Sequence, residues 1–457
     1  MSETASVSEA GTVSAATTPP GKYPVWMVIL LVAVSASAFI DRVIVATLGP
    51  AIKADLEITD AQFGLLSGLA FALLYTAAGI PIARLADRGN RVRLLAIATS
   101  IWSVMTALSG TATTYVQLLL LRIGVGVGEA AASPCTVSLV GDTFPRSKRA
   151  SALATIAMGS SLGSLIGGYG GGWLGENIGW REAFVIVGLP GFILSALLFF
   201  TLREPPRGMF EENRRNSADA PPFRAVLAQI VSRRGFLHMM IACGLCSFVN
   251  FGVLTFVPIY LGRAFTMSMT EAGLLFGLVS SFSNATGTLI GGFGSDWAAK
   301  RDERWYAWLP ALCLLVAMPI YAFGLLQNDW KVAMPVITVG AVLAFTFFAP
   351  TFAATQNMME PRTRASASAV LIFFQNVVGA GLGPLFVGLM SDYLAARFYG
   401  DTSYAEVCSG TAVSIDPACA QAASLGIQYA MVTCVFFLLW GSVHYYLASQ
   451  SLRKDLV

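Results

Sequence analysis

Residues 235–262 read GFLHMMIACGLCSFVNFGVLTFVPIYLG, a run without aspartate, glutamate, lysine or arginine. An α-helix rises ~1.5 Å per residue and the hydrocarbon core of a bilayer is ~30 Å thick, so such a run is long enough to cross it. Similar runs, separated by short charged segments, lie at 25–48, 62–86, 93–112, 115–141, 149–175 and 182–203, then at 271–297, 305–326, 332–358, 365–395 and 421–448. None alternates with period two, which argues for helices and against barrel strands. Composition agrees: of 457 residues 55% are hydrophobic and 12% charged, with mean hydropathy +0.67, whereas a globular domain carries about 25% charge. A soluble enzyme, a nucleic-acid binder and a fibrous protein are thereby excluded. The expected fold class is an all-α membrane protein with 12 transmembrane helices.

Six spans fall on each side of a polar stretch at 204–234, which divides the chain into bundles at 25–203 and 235–450. Within that linker Phe223, Val226, Leu227, Ile230 and Val231 recur at helical spacing after Pro221-Pro222, the pattern of a short interfacial helix. Residues 1–24 form a Ser/Ala/Thr-rich tail, expected to be disordered, and lack a signal peptide's basic start. Twenty-two of the 29 lysines and arginines fall on the side that holds the N-terminus and the linker, and five on the other. This bias places both termini in the cytoplasm, and a bacterial inner membrane is the expected location. Cys408 and Cys419 sit in the last outer loop, where oxidation is permitted, and a disulfide stapling that loop is expected. The other cysteines lie in apolar runs as small hydrophobes and offer no metal site.

Two inner loops repeat between the halves. Ala83-Arg84-Leu85-Ala86-Asp87-Arg88-Gly89-Asn90-Arg91 echoes Gly292-Phe293-Gly294-Ser295-Asp296-Trp297-Ala298-Ala299-Lys300-Arg301, the aspartates being 209 apart. Pro145-Arg146-Ser147-Lys148-Arg149-Ala150-Ser151-Ala152 echoes Pro361-Arg362-Thr363-Arg364-Ala365-Ser366-Ala367 at an offset near 216. A duplicated architecture of two pseudo-symmetric six-helix bundles follows. The loop at 83–91 resembles the Gly-x-x-x-Asp-Arg-x-x-x-Arg/Lys signature of the major facilitator superfamily, with Ala83 where glycine is usual. Asp41-Arg42, Arg122-Ile123-Gly124-Val125-Gly126-Val127-Gly128-Glu129-Ala130 and Arg203-Glu204-Pro205-Pro206-Arg207-Gly208 resemble its spinster-like branch, which often carries Tyr-x-Asp-Arg where this chain has Phe39-Ile40-Asp41-Arg42. The resemblance implies a central cavity that opens alternately to either side and is lined by spans one, four, seven and ten. Eukaryotic members of that branch are linked to export of lysosomal sugars or lysolipids and of sphingosine-1-phosphate.

Four strongly charged side chains lie well inside the spans: Asp41, Arg42, Arg122 and Glu129. Each costs ~2.5–3.5 kcal/mol or more at mid-bilayer unless paired or hydrated. Arg122 and Glu129 are seven residues apart and share a helix face, ~10 Å apart along it. Asp41 and Arg122 are expected at similar depth and able to pair, leaving Glu129 to Arg42 or to the substrate. Desolvation favours the protonated form of a buried carboxylic acid, and a neighbouring guanidinium favours the ionised form. An acid held between those effects can load and release a proton as its exposure changes. Asp41 and Glu129 are therefore the candidate proton carriers, with Arg42 and Arg122 as exchangeable partners or anion anchors. The plainer alternative is a static network that fixes helix packing. The second half offers neutral candidates, chiefly Asn250, Phe251, Phe345, Phe348, Gln356 and Phe374, so a charged wall should face an apolar one, as suits an amphiphile with an anionic head.

The inner loops suggest a cytoplasmic gate. Asp87 and Asp296 are expected to accept hydrogen bonds from a neighbouring helix N-terminus, and with Arg88, Arg91 and Arg149 to latch the outward-facing state; a topology signal alone is the alternative. Glycines 124, 126 and 128 in span four and the seven from Gly159 to Gly172 in span five suit close helix packing. No Walker A lysine motif is present, so ATP drive is disfavoured. The expected protein is a monomeric, cofactor-free and metal-free secondary transporter, moving protons and a lysolipid- or sphingoid-phosphate-like anion. Alternatives are a transporter of small organic acids, sugars or drugs, a channel, or an intramembrane enzyme, the last opposed by the scarcity of histidine.

Overall fold

The computed structural model describes residues 23–207, 223–360, 363–400, 404–408, 410 and 415–456. The N-terminal tail through residue 22, the middle of the linker at 208–222 and Pro361-Arg362 lie outside the described residues. Twelve helices among the described residues are long and apolar enough to cross a membrane: Tyr23–Thr47, Asp60–Arg88, Arg91–Ser109, Tyr115–Thr143, Ser151–Asn177, Trp180–Thr201, Arg234–Phe265, Met269–Ala299, Trp305–Leu325, Trp330–Asn357, Ser366–Tyr399 and Pro417–Asp455. They are called spans one to twelve below. Each overlaps one of the apolar runs, because in hydrocarbon the backbone must satisfy its own hydrogen bonds and a helix does so within one segment. With twelve crossings, the ends at Tyr23 and Asp455 share one side of the molecule, here the terminal face; the opposite side is the far face.

Spans four and ten break at matching places. Span four is helical over Tyr115–Glu129 and again over Ala132–Thr143, and span ten over Trp330–Phe345 and Phe348–Asn357. Pro134 and Pro350 sit at the third position of the second segments. A proline lacks the N–H that would continue the ladder, so it costs least in a helix's first turn. Glu129 and Phe345 are thus placed at corresponding helix ends. Spans two and eleven carry π-helical turns at Leu65–Leu69 and Gln375–Leu382, and these pack against each other across the halves, Gly68 lying against the backbone of Ala380 and Gly381.

Contacts between the halves run from the far face to mid-depth. Gly168 and Gly172 of span five meet Gly273, Gly277 and Met269 of span eight, and the Ser281 hydroxyl donates to the Ser161 carbonyl at 2.8 Å. Gly64 of span two lies against Pro384 and Leu385, and Gly388 of span eleven against Asp60 and Ala61. Toward the terminal face, Ala132–Thr143, Phe348–Asn357 and Arg364–Phe374 pack mainly on their own halves. The two bundles close at the far face and diverge toward the terminal one. In the linker, the helix Phe223–Ser232 buries Val226 and Ile230 and exposes Phe223, Leu227 and Val231.

Candidate functional site

Spans one and four bring the four membrane charges together. Asp41, Arg122 and Glu129 are each at most 2% exposed. The Arg42 guanidinium donates from Nε to Glu129 Oε2 at 2.9 Å, and its second nitrogen Nη2 lies 2.8 Å from the same oxygen. Rings of Phe39, Phe71 and Tyr75 surround that guanidinium, with centroids 5.4, 4.9 and 5.1 Å from it. The Arg122 guanidinium stands 5.9 Å from the centroid of the same Phe71 ring. Asp41 lies within electrostatic reach of Glu129, Arg122 and Arg42, with Thr106 beside it. Among the described residues, Asp41 Oδ1, Arg122 Nε and Nη1 and Glu129 Oε1 have no hydrogen-bond partner. Buried polar groups are rarely left so, since each costs ~1–3 kcal/mol.

The pairing differs from expectation at one point. Asp41 and Arg122 form no ion pair within 4 Å among the described residues; the pair formed is Arg42–Glu129. Neighbours on a helix point ~100° apart, so Arg42 can face Glu129 while Asp41 points elsewhere, toward Thr106. Arg42 has the longer reach and takes the deeper acid.

Opposite this wall the second half presents neutral counterparts. At the 209-residue offset of the repeat, Asp41-Arg42 corresponds to Asn250-Phe251; at 216, Glu129 corresponds to Phe345. Burial follows the same register: Asn250 is buried like Asp41, and Phe251 is partly exposed, as Arg42 is. Asn250 Nδ2 donates to the Ala344 carbonyl at 3.4 Å, and its Oδ1 has no partner among the described residues. Phe345 is half-buried, Phe348 is exposed with its ring tilted against Phe352 at 4.9 Å, Gln356 is exposed, and Phe374 packs against Gly244.

The inner-loop residues separate. Arg91 is buried within the first half, where Nε donates to Glu204 Oε1 at 2.5 Å, Nη1 to Asp142 and to Ser138 Oγ at 2.8 Å, and Nη2 to the Pro205 carbonyl at 3.0 Å. Arg207 donates to the carbonyls of Ala86 and Gly89 at the end of span two. The stretch Arg203–Arg207 thus clamps the loop after span two to the end of span six. Arg149 donates to the Phe144 carbonyl, Asp296 accepts from the Tyr306 hydroxyl, and Asp87 and Arg88 are exposed. In this state none of these residues bridges the halves through a hydrogen bond or ion pair seen among the described residues.

The far face holds a network that was not expected. Asp60, at the start of span two, accepts two hydrogen bonds from Arg263 of span seven, at 2.7 and 3.0 Å, and one from the Ser391 hydroxyl of span eleven at 2.7 Å. Lys53 Nζ lies 2.7 Å from its Oδ1. Asp392 in turn accepts the backbone N–H groups of Asp60 and Ala61 at 3.0 and 2.8 Å. Burial holds the Lys53 ammonium below its ordinary range, an effect that Asp60 opposes. The second half is therefore not purely neutral: Arg263, counted with the outer loops, is drawn inward by Asp60. A capping box, in which Thr59 and Gln62 bond reciprocally, was the local signal marking this helix start. Cys408 and Cys419 are joined by a disulfide in the loop nearby, where Gly410 lies over Glu57.

Two six-helix halves joined at one face around a shared polar centre define an alternating-access carrier fold. Residues 30–399 match the model of the Major Facilitator Superfamily. The chain belongs to that superfamily and is spinster-like within it. It is 31% identical over 435 residues to an MFS-type efflux pump of Mycolicibacterium smegmatis, covering 94% of this chain and 93% of the relative. It is 25% identical to the sphingosine-1-phosphate transporter SPNS2 of Xenopus tropicalis, over 88% of this chain and 79% of that one. The crystal structure of a bacterial homologue of the human lysosomal transporter Spinster, in an inward-facing and unoccupied conformation, superimposes with a TM-score of 0.89 at 30% identity, over 96% of this chain and 99% of that one. The protein is a multi-pass membrane transporter of small-molecule substrates.

Proposed function

We propose that this transporter is proton-coupled, acts as a monomer in a bacterial cell membrane with both termini in the cytoplasm, and moves an amphipathic organic anion of the lysolipid or sphingoid-phosphate type. The observation that carries this is the Arg42–Glu129 pair, flanked by buried Asp41 and Arg122 whose polar atoms are not all satisfied. Protonating Glu129 would release the Arg42 guanidinium to an anionic headgroup while the aromatic cage holds the cation in place. Deprotonation would restore the pair and expel the anion. Asn250, Phe251 and Phe345 supply the neutral wall for an acyl or sphingoid chain. With the halves joined at the far face and apart at the terminal face, the state described is inward-facing, like the Spinster homologue it superimposes on. A second reading, a small organic acid, sugar or drug as cargo, draws support from a 24% identical hexuronate transporter of Bacillus subtilis.

Proteoliposome flux tests the proposal. Purified protein is first screened by thermal shift against lysolipids, sphingoid phosphates, sugars and aromatic acids. The best ligand is then followed with and without an imposed pH gradient. Asp41→Asn and Glu129→Gln should abolish gradient-driven accumulation while leaving substrate exchange across the membrane measurable. Intact pH-driven transport in both variants would falsify the coupling role, and a preferred ligand lacking an apolar chain would favour the second reading.

A further inference from the structure

The chain has two histidines, His238 in span seven and His444 in span twelve, and their Nδ1 atoms lie 2.9 Å apart. His238 lines a cavity of about 540 Å³ between the terminal-face ends of those spans, a volume in the ordinary range for a ligand site. Arg234 and Lys454 stand on its wall, exposed and with no partner among the described residues. The one acid on the wall, Asp455, is engaged locally: its Oδ2 accepts the Gly235 N–H at 2.7 Å, and its carbonyl accepts from Arg233. Ser232 and Ser451 also line it, their hydroxyls donating to the Gln229 and Ala448 carbonyls. The cavity therefore sets two unpartnered cations against one carboxylate, a net positive lining.

Its surroundings point to lipid as the source of an anion. The helix Phe223–Ser232, which ends at the cavity wall, turns Phe223, Leu227 and Val231 outward, an apolar stripe fit for the bilayer surface. Beside the cavity on span twelve, Tyr446 is exposed, and such an aromatic side chain favours headgroup depth. We propose that this cavity seats the phosphate of an anionic phospholipid from the leaflet at the terminal face. In a neutral histidine pair one Nδ1 donates and the other accepts. When His444 donates, His238 carries its proton on Nε2 and can offer that N–H to the phosphate, beside the charges of Arg234 and Lys454.

The test uses the purified full-length protein in zwitterionic micelles, titrated with phosphatidylglycerol, with phosphatidylcholine, or with inorganic phosphate, and reads the unfolding midpoint. Ligand that binds the folded state raises that midpoint as its concentration passes its dissociation constant. Phosphatidylglycerol should protect, and the other two should not. Each cation near an anionic lipid is worth about fivefold in affinity, so the double variant Arg234→Gln/Lys454→Gln should weaken phosphatidylglycerol binding about 25-fold. The equally discharged control Arg84→Gln/Lys300→Gln, altered elsewhere on the same face, should bind like the parent. Full affinity in the double variant, or an equal loss in the control, overturns the site. Protection by inorganic phosphate at the level of phosphatidylglycerol overturns the lipid assignment.

Discussion

Arg42 and Arg91 each seat a guanidinium against acidic partners, and they do so differently. Arg91 is enclosed by fixed acceptors: Glu204, Asp142, Ser138 and the Pro205 carbonyl. Arg42 has one carboxylate and three aromatic faces. A ring face attracts a cation without demanding one hydrogen-bond geometry, so Arg42 can change acceptor without losing its seat, whereas Arg91 cannot. Arg91→Gln should accordingly be a stability variant. It leaves Glu204 and Asp142 facing each other without their shared cation, and removing one partner from a buried charge network costs about 3–5 kcal/mol. A clear fall in the unfolding midpoint in detergent is expected; an unchanged midpoint would contradict the clamp. The signature spacing singles out Arg91 in the sequence, but its acceptors Glu204 and Asp142 lie 113 and 51 residues away along the chain, beyond any local pattern.

At the scale of elements, span five shows why a helix can hold so many glycines. Gly159, Gly163 and Gly167 lie against the backbone of span one, and Gly168 and Gly172 against span eight. Without a hydrophobic driving force between helices in lipid, close backbone approach supplies the packing energy. A Cβ added at Gly168 would stand 2.9 Å from the Cα of Gly277, while one added at Gly170 would meet nothing within 4 Å. Gly168→Leu should therefore force the halves apart and cost about 1–3 kcal/mol or more in overpacking, with loss of transport. Gly170→Ala should be neutral or stabilising by up to about 1 kcal/mol through helix propensity. Thermal unfolding and flux of the two variants, measured together, decide the matter. Equal effects would mean that the glycines act through helix flexibility and not through the contact.

For the molecule as a whole, the far-face network stores the preference for one state. Asp60 joins Lys53 of its own half to Arg263 of the other, and Asp392 returns a bond from span eleven to the start of span two. Opening the far face must separate Asp60 from Arg263. Breaking a buried pair of this kind costs about 3–5 kcal/mol, against the ~5.5 kcal/mol that takes a two-state equilibrium from 1:99 to 99:1. Asp60→Asn should move a large part of the population toward a state open at the far face. Nitroxide labels at Asn177→Cys and Lys331→Cys, on the far-face ends of the two halves, should report longer distances by pulsed electron resonance in the Asp60→Asn background. An unchanged distribution would show that the glycine contacts alone keep that face shut.

Span number, the duplicated halves and the placement of four charges inside the membrane were all determined by the sequence itself. Each is a local matter: hydrocarbon thickness sets the length of an apolar run, and a charge within such a run is conspicuous wherever it falls. Which charges meet was decided by tertiary structure. Arg42, and not Arg122, acquired the ion pair, because helix phase and side-chain reach act only once spans one and four are packed. The far-face network was invisible for the same reason, since Asp60, Arg263 and Asp392 each read as ordinary span ends until three helices from two halves converge. The state of the molecule is likewise a tertiary property, for both faces are written in the same chain and only the packing of the bundles selects which one is closed.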